Sequence, residues 1–300
     1  MTATWTGCGT ALVTPFAANG ALDELRVRRL AARQVDAGVN FLVPCGTTGE
    51  NPTLTHAEQR RVVELVVEAS GGRVPVLAGA GGYDTRAVID QVSGMRDAGA
   101  DGILSVTPYY SRPTQDGLFR HYLAIAESTP LPIIVYNVPG RTGCNIDVDT
   151  LCRLAEIPNI VGVKEASGNL PQMCEICARV PPDFRVLSGD DVFTVPLISV
   201  GGAGVISVIS NEVPGEMTQL VSAALDNDFI TARRVHTRLL PLMQVNFIEA
   251  NPIPVKAAMA HMGLLEPYYR LPMVAPQPAS HHRIVQVLEA LALHPSDSPA

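Results

Sequence analysis

The chain has 300 residues, 47% of them hydrophobic and 17% charged, with a formal net charge of −7. That much apolar material fills one large core or two smaller ones and excludes a disordered chain. The acidic balance, with no basic run longer than two arginines, excludes a nucleic-acid footprint and a polybasic membrane anchor.

No run approaches the roughly 18 uninterrupted apolar residues of a membrane span. Residues 1–9 lack the basic start and apolar stretch of a secretory signal, so the expected location is the cytoplasm. The six cysteines are scattered, as reduced thiols in an intracellular chain would be. Only Cys174 and Cys177 have redox or zinc spacing, and no second Cys or His pair accompanies them. The seven histidines form no metal spacing on any predicted site loop, and no metal is expected.

Eight short runs rich in Val, Ile or Leu read as strands: 9–14, 41–45, 75–80, 102–108, 133–138, 160–166, 185–189 and 204–210. Helix signals lie between them. Residues 25–37 follow Asp23 as an N-cap, and Thr55 with Glu58 forms a capping box ahead of Val62, Val63, Leu65 and Val66. Val88, Ile89, Val92 and Met95 share one face, as do Leu118, Tyr122 and Ile125. Shorter helices are expected over 147–154, 170–177 and 192–200. Regular alternation with short loops predicts parallel strands joined by helical crossovers. Eight units in about 200 residues fit a (β/α)8 TIM barrel over 1–210 better than an open doubly wound sheet. Helices are then expected over 212–225, 229–245, 254–262 and 280–293, forming a C-terminal helical extension over 211–300. The segment 294–300 is expected to fray.

A barrel places its chemistry at the C-terminal strand ends. The sixth run, Ile160-Val161-Gly162-Val163-Lys164-Glu165-Ala166, ends on a lysine, and of 22 basic residues only Lys164 and Lys256 are not arginine. Lysine alone offers an amine that loses its proton when desolvated and attacks a carbonyl carbon. The plainer reading is a lysine snorkelling to solvent. Alternation puts Ile160, Gly162 and Lys164 on one side, facing Ile134 and Tyr136 of the preceding strand. Burial among Ile160 and Val163 would disfavour the charged amine. Tyr136 would then be a proton-transfer group or a core ring. The second strand ends in Gly46-Thr47-Thr48-Gly49-Glu50, whose hydroxyls and N–H groups suit a carboxylate, or a simple loop cap. Tyr109 and Tyr110 follow the fourth strand. Arg141 follows the fifth, between Gly140 and Gly143, ready for a carboxylate or an acidic neighbour. Asp190 and Asp191 follow the seventh, where a helix N-terminus accounts for both.

Together, Gly46-Thr47-Thr48-Gly49-Glu50, Tyr109-Tyr110, Tyr136-Asn137-x-Pro139-x-Arg141-Thr142-Gly143 and Gly162-x-Lys164-Glu165-Ala166 resemble the 4-hydroxy-tetrahydrodipicolinate synthase branch of the pyruvate-dependent class I aldolases, which also contains N-acetylneuraminate lyase. The resemblance implies a Schiff base between Lys164 and pyruvate, with no external cofactor. It implies proton shuttling by Tyr136 with Thr47 and with Tyr110, the last reaching in from a neighbouring subunit. It assigns Thr47 and Thr48 to the pyruvate carboxylate, Arg141 to the carboxylate of aspartate semialdehyde, and Gly189 and Ile206 to backbone carbonyls around the site. It also implies a homotetramer built from tight dimers, acting in the diaminopimelate and lysine pathway. A sister aldolase or dehydratase acting on a sugar acid or a hydroxyproline derivative would share the machinery. A catalytically silent barrel would not need it.

Family members inhibited by lysine carry a serine, an asparagine and a glutamate where this chain has Asn51, Tyr83 and Ala87, although His56 and Tyr109 remain. Weak or absent lysine inhibition is expected.

Overall fold

Eight parallel strands form one sheet in the computed structural model, which describes residues 5–294; most of the segment expected to fray lies outside them. The strands are β1 (Gly7–Ala11), β2 (Phe41–Val43), β3 (Leu77–Gly79), β4 (Gly102–Val106), β5 (Ile133–Asn137), β6 (Ile160–Glu165), β7 (Arg185–Ser188) and β8 (Gly204–Ser207). They are hydrogen-bonded in the order β2-β1-β8-β7-β6-β5-β4-β3. The two ends meet through a parallel bridge between Leu42 and Val76, where the Leu42 N–H donates to the Pro75 carbonyl at 3.0 Å and the Gly79 N–H to the Pro44 carbonyl at 2.9 Å. Closure leaves no sheet edge unpaired and makes the fold the expected (β/α)8 barrel.

Alternation along the strands divides the apolar residues between two layers. Phe41, Val43, Leu77, Leu104, Ile134, Leu187 and Ile206 fill the barrel, with the Trp5 ring set edge-on to Phe41 at 5.6 Å. Leu42, Ile103, Ile133, Val135, Val163 and Val186 point outward into the layer of helices. The helices wrapping the barrel are α1 (Glu24–Asp36), α2 (His56–Ser70), α3 (Thr85–Asp97), α4 (Gln115–Glu127), α5 (Pro139–Thr142), α6 (Val148–Leu154), α7 (Leu170–Arg179), α8 (Thr194–Ser199) and α9 (Pro214–Leu225). The two N-terminal signals hold. Asp23 accepts from the Arg26 N–H at 3.0 Å, and Thr55 and Glu58 close a capping box.

Three local expectations need correction. The stretch 192–200 opens with a 3-10 turn, Asp191–Phe193, before α8. The loop expected around Arg141 is one helical turn, α5, started by Pro139 in the position proline favours. The register of β6 on β5 slips between Ile160 and Gly162, so Ile160 and Val163 both pack in the outer layer and Val161 packs against the inner one. Neither Ile160 nor Val163 surrounds the lysine.

Helix α9 shares a core with β1 and β8 through Cys8, Val205, Met217, Leu220 and Val221, and so completes the eighth strand–helix unit; the boundary expected at 210 falls inside that unit. Helices α10 (Phe229–Val245), α11 (Ile253–His261) and α12 (Pro278–Ala290) add to the same cluster through Leu239, Ala258 and Ile284. Among the described residues, no helix is long and apolar enough to cross a membrane.

Candidate active site

Lys164 stands near the end of β6, paired in register with Tyr136 of β5 and Leu187 of β7, and only 5% of it is exposed. Its amine does not snorkel to bulk solvent. The Nζ atom lies over the Tyr136 ring, 4.2 Å from the centroid. Gly189 flanks it: a Cβ there would fall 3.1 Å from Lys164 Cε and 2.6 Å from the Ala166 Cβ, so the absent side chain is what gives the lysine room. Glu165 points the other way, fully buried, and accepts from Asn137 Nδ2 at 2.9 Å and the Ser167 N–H at 2.7 Å.

The loop after β2 brings the threonines to the same place. Two turn bonds, Gly49 N–H to the Gly46 carbonyl and Glu50 N–H to the Thr47 carbonyl, both 3.1 Å, curl it over the barrel mouth. Thr48 Oγ1 accepts from Asn251 Nδ2 at 3.0 Å. On α5, Arg141 is exposed and its Nη2 donates to the Asn251 carbonyl at 3.4 Å. The helical turn that carries it is fixed by Thr142, whose hydroxyl accepts from Thr107 Oγ1 at 3.1 Å and lies 3.0 Å from the Cys144 carbonyl.

Thr47, Thr48, Tyr136, Arg141, Lys164 and Gly189 line one cavity of about 90 Å³. A larger cavity of about 440 Å³ adjoins it, sharing Thr47, Tyr136, Val138 and Arg141 and extending past Asn51, His56 and Tyr109. Two expected residues lie outside the small cavity's lining. Ile206 is buried within the barrel, opposite Gly9 of β1. Tyr110 has a left-handed backbone, φ +68°, is 91% exposed and does not line its own chain's small cavity.

Asn251 and Phe247 line the small cavity and were not anticipated. They come from the α10–α11 connection, and no local pattern in the sequence signals that this segment returns to the barrel mouth. Asp190 lines it too and caps the following turn through the Val192 N–H at 3.1 Å; burial raises its carboxyl above the usual range, with the Lys164 charge opposing. Asp191 does something other than cap a helix. It is buried, accepts from the Val208 and Ile209 N–H groups at 3.0 Å each, and is pushed up to about 6 mainly by burial. Among the described residues no three His, Cys, Asp or Glu side chains group as metal ligands, and Cys174 and Cys177 are free thiols on α7.

A buried amine beside a phenol, hydroxyls and a guanidinium is an arrangement that can attack a ketone whose carboxylate the hydroxyls hold. Fold and site together define a (β/α)8-barrel enzyme working at the C-terminal strand ends. The model of the dihydrodipicolinate synthetase family matches residues 4–291. A 4-hydroxy-tetrahydrodipicolinate synthase of Koribacter versatilis is 50% identical, with 94% of each chain covered. One of Nitratidesulfovibrio vulgaris is 52% identical over 96% of this chain and 98% of the relative. The crystal structure of dihydrodipicolinate synthase from Aquifex aeolicus superposes with a TM-score of 0.95 at 42% identity, covering 98% of this chain and 100% of that one. The chain belongs to the dihydrodipicolinate synthetase family.

Proposed function

We propose that the chain acts as a 4-hydroxy-tetrahydrodipicolinate synthase, joining pyruvate to L-aspartate 4-semialdehyde, with Lys164 as the covalent catalyst. The observation that carries this reading is the buried Lys164 amine facing Tyr136 in a cavity also lined by Thr47, Thr48 and Arg141.

In this reading the Thr47–Thr48 loop holds the carboxylate of pyruvate, leaving its ketone carbon beside Nζ. The nitrogen attacks that carbon, and loss of water leaves an iminium ion. The cationic nitrogen then draws electrons from the adjacent methyl group, which gives up a proton to form the enamine. In the same reading Tyr136 passes protons in these steps, a role supported by its burial, 6% exposed, and its paired strand position. The enamine carbon adds to the aldehyde carbon of the semialdehyde, whose carboxylate Arg141 holds at the mouth. Attack of the semialdehyde's own amino group on the iminium carbon closes the ring and frees Lys164 without added water.

The exposure of Tyr110 supports the view that its hydroxyl completes the relay in a neighbouring subunit of a dimer, within a tetramer of two such dimers. A panel of aldehyde acceptors with purified protein and pyruvate tests the reading. Turnover is expected with aspartate semialdehyde, well above that with sugar aldehydes. Turnover confined to sugar aldehydes would assign the chain to a sister aldolase instead.

A further inference from the structure

The second lysine of the chain takes no part in that chemistry, yet it is fully buried. Lys256 lies in α11, and its Nζ donates to Glu50 Oε1 and, at 3.2 Å, to the Thr14 carbonyl. The rings of Phe16 and Tyr269 enclose it, with centroids 4.5 and 5.3 Å from the nitrogen. The Glu50 side chain is 1% exposed. Desolvating two such ions is costly, and well-packed apolar residues of similar volume often stabilise a fold as well or better. Net stability is therefore a weak reason for the pair. Its location offers a stronger one.

Glu50 is the last residue of the loop that carries Thr47 and Thr48, and that loop is bounded by two non-glycine residues in the left-handed region, Cys45 at φ +58° and Glu50 at φ +53°. Each such residue is strained and persists only where its surroundings hold it. The bonds that hold this one converge on Lys256. Thr14, which accepts from the lysine through its carbonyl, donates its hydroxyl to the Gly49 carbonyl at 2.7 Å. Glu50 receives the lysine on one carboxylate oxygen and the Arg270 N–H, at 3.4 Å, on the other. Five positions before Lys256, Asn251 donates to the Thr48 hydroxyl. One segment of the C-terminal extension thus grips the loop at a side chain in the cavity and at the loop's far end.

We propose that Lys256 is a positioning residue for the keto-acid carboxylate: acting through Glu50 and Thr14, it holds the loop in the conformation that presents Thr47 and Thr48 to that group. The inference rests on the assignment of the pyruvate carboxylate to those threonines. It also explains why this position is a lysine in a chain whose other non-catalytic basic residues are arginines. A compact ammonium fits between two rings and reaches a carbonyl and a carboxylate at once, whereas a planar five-donor fork would leave buried N–H groups unpaired.

The test is steady-state kinetics of Lys256→Met and of the double variant Glu50→Gln/Lys256→Met, with far-ultraviolet circular dichroism to establish folding. In both, KM for pyruvate is expected to rise tenfold or more, while KM for aspartate semialdehyde at saturating pyruvate stays within twofold. The double variant buries no unpaired charge, so it carries the test if Lys256→Met does not fold. A purely structural role predicts that the double variant regains wild-type KM for pyruvate; that result, or an equal rise in both KM values, overturns the proposal. A wild-type protein that does not consume pyruvate would instead overturn the underlying reading of the site.

Discussion

Lys164 Nζ sits 4.2 Å from the centre of the Tyr136 ring, and the two residues occupy paired positions on adjacent strands. Their separation is therefore set by the hydrogen-bonded ladder of the barrel and not by a loop. Sites built on strands hold their geometry more closely than sites built on connections, and here the two groups proposed to handle the bond and the proton share that rigidity.

Removing only the phenolic oxygen separates the two jobs. Tyr136→Phe keeps the ring against the amine and deletes the proton carrier, so kcat should fall by about 10²-fold or more, the range of general acid–base catalysis. The pyruvate adduct on Lys164 should still form, though more slowly. Stopped-flow and steady-state rates check both parts; a kcat within threefold of wild type would remove Tyr136 from the relay.

Tyr110, 91% exposed, makes a prediction about assembly. If its hydroxyl serves a neighbouring subunit, specific activity should drop as the protein is diluted through its dissociation range, in step with the loss of dimer by analytical ultracentrifugation. Activity that stays constant while the dimer dissociates would show that each chain works alone.

The larger cavity reaches past Asn51, His56 and Tyr109, and none of its lining residues is an Asp or Glu. Tyr83 stacks edge-on against Tyr109 at 5.4 Å where the resemblance leads one to expect an asparagine. Among the described residues of one chain, the lining offers no carboxylate for the ammonium group of an amino-acid effector. Millimolar L-lysine should leave the rate unchanged; a micromolar inhibition constant would contradict this.

Stability should respond to acid through Glu58. Its carboxylate accepts from Arg270 at 2.6 and 2.9 Å and from the Thr55 N–H at 2.9 Å, and the guanidinium above all holds it at about 2, below its ordinary 4.5. A carboxyl lowered on folding contributes stability above its unfolded value and loses it as pH falls through the folded one. Glu58→Gln should therefore cost about 1.5–3 kcal/mol at pH 7, the range for hydrogen bonds to charged groups. In urea titrations the gap to wild type should narrow between pH 4.5 and 2; a gap that does not change with pH would count against the ion pair.

The barrel and the positions that make up most of its candidate site were legible because the strand-end residues follow short apolar runs whose period is local. Tyr136, Lys164 and the Thr47–Thr48 loop could be placed from their own neighbours in sequence. What stayed hidden is what depends on distant chain. Asn251 lies 203 residues from the threonine it bonds, and Lys256 lies 206 from Glu50. The slip in register at β6 was equally invisible, because Ile160, Val161 and Val163 are all apolar and no residue among them marks which face is inside. Ile206 and Tyr110 show a further limit: the resemblance assigns them roles at a site that, within one chain, neither lines.

The most direct measurement is reduction of the protein with borohydride in the presence of pyruvate, followed by peptide mass spectrometry. The increase in mass should fall on the peptide carrying Lys164, leaving Lys256 unmodified, and Lys164→Ala should give none. Labelling of Lys256 alone, or no pyruvate-dependent adduct at all, would contradict the assignment of the buried amine at the end of β6 as the covalent catalyst.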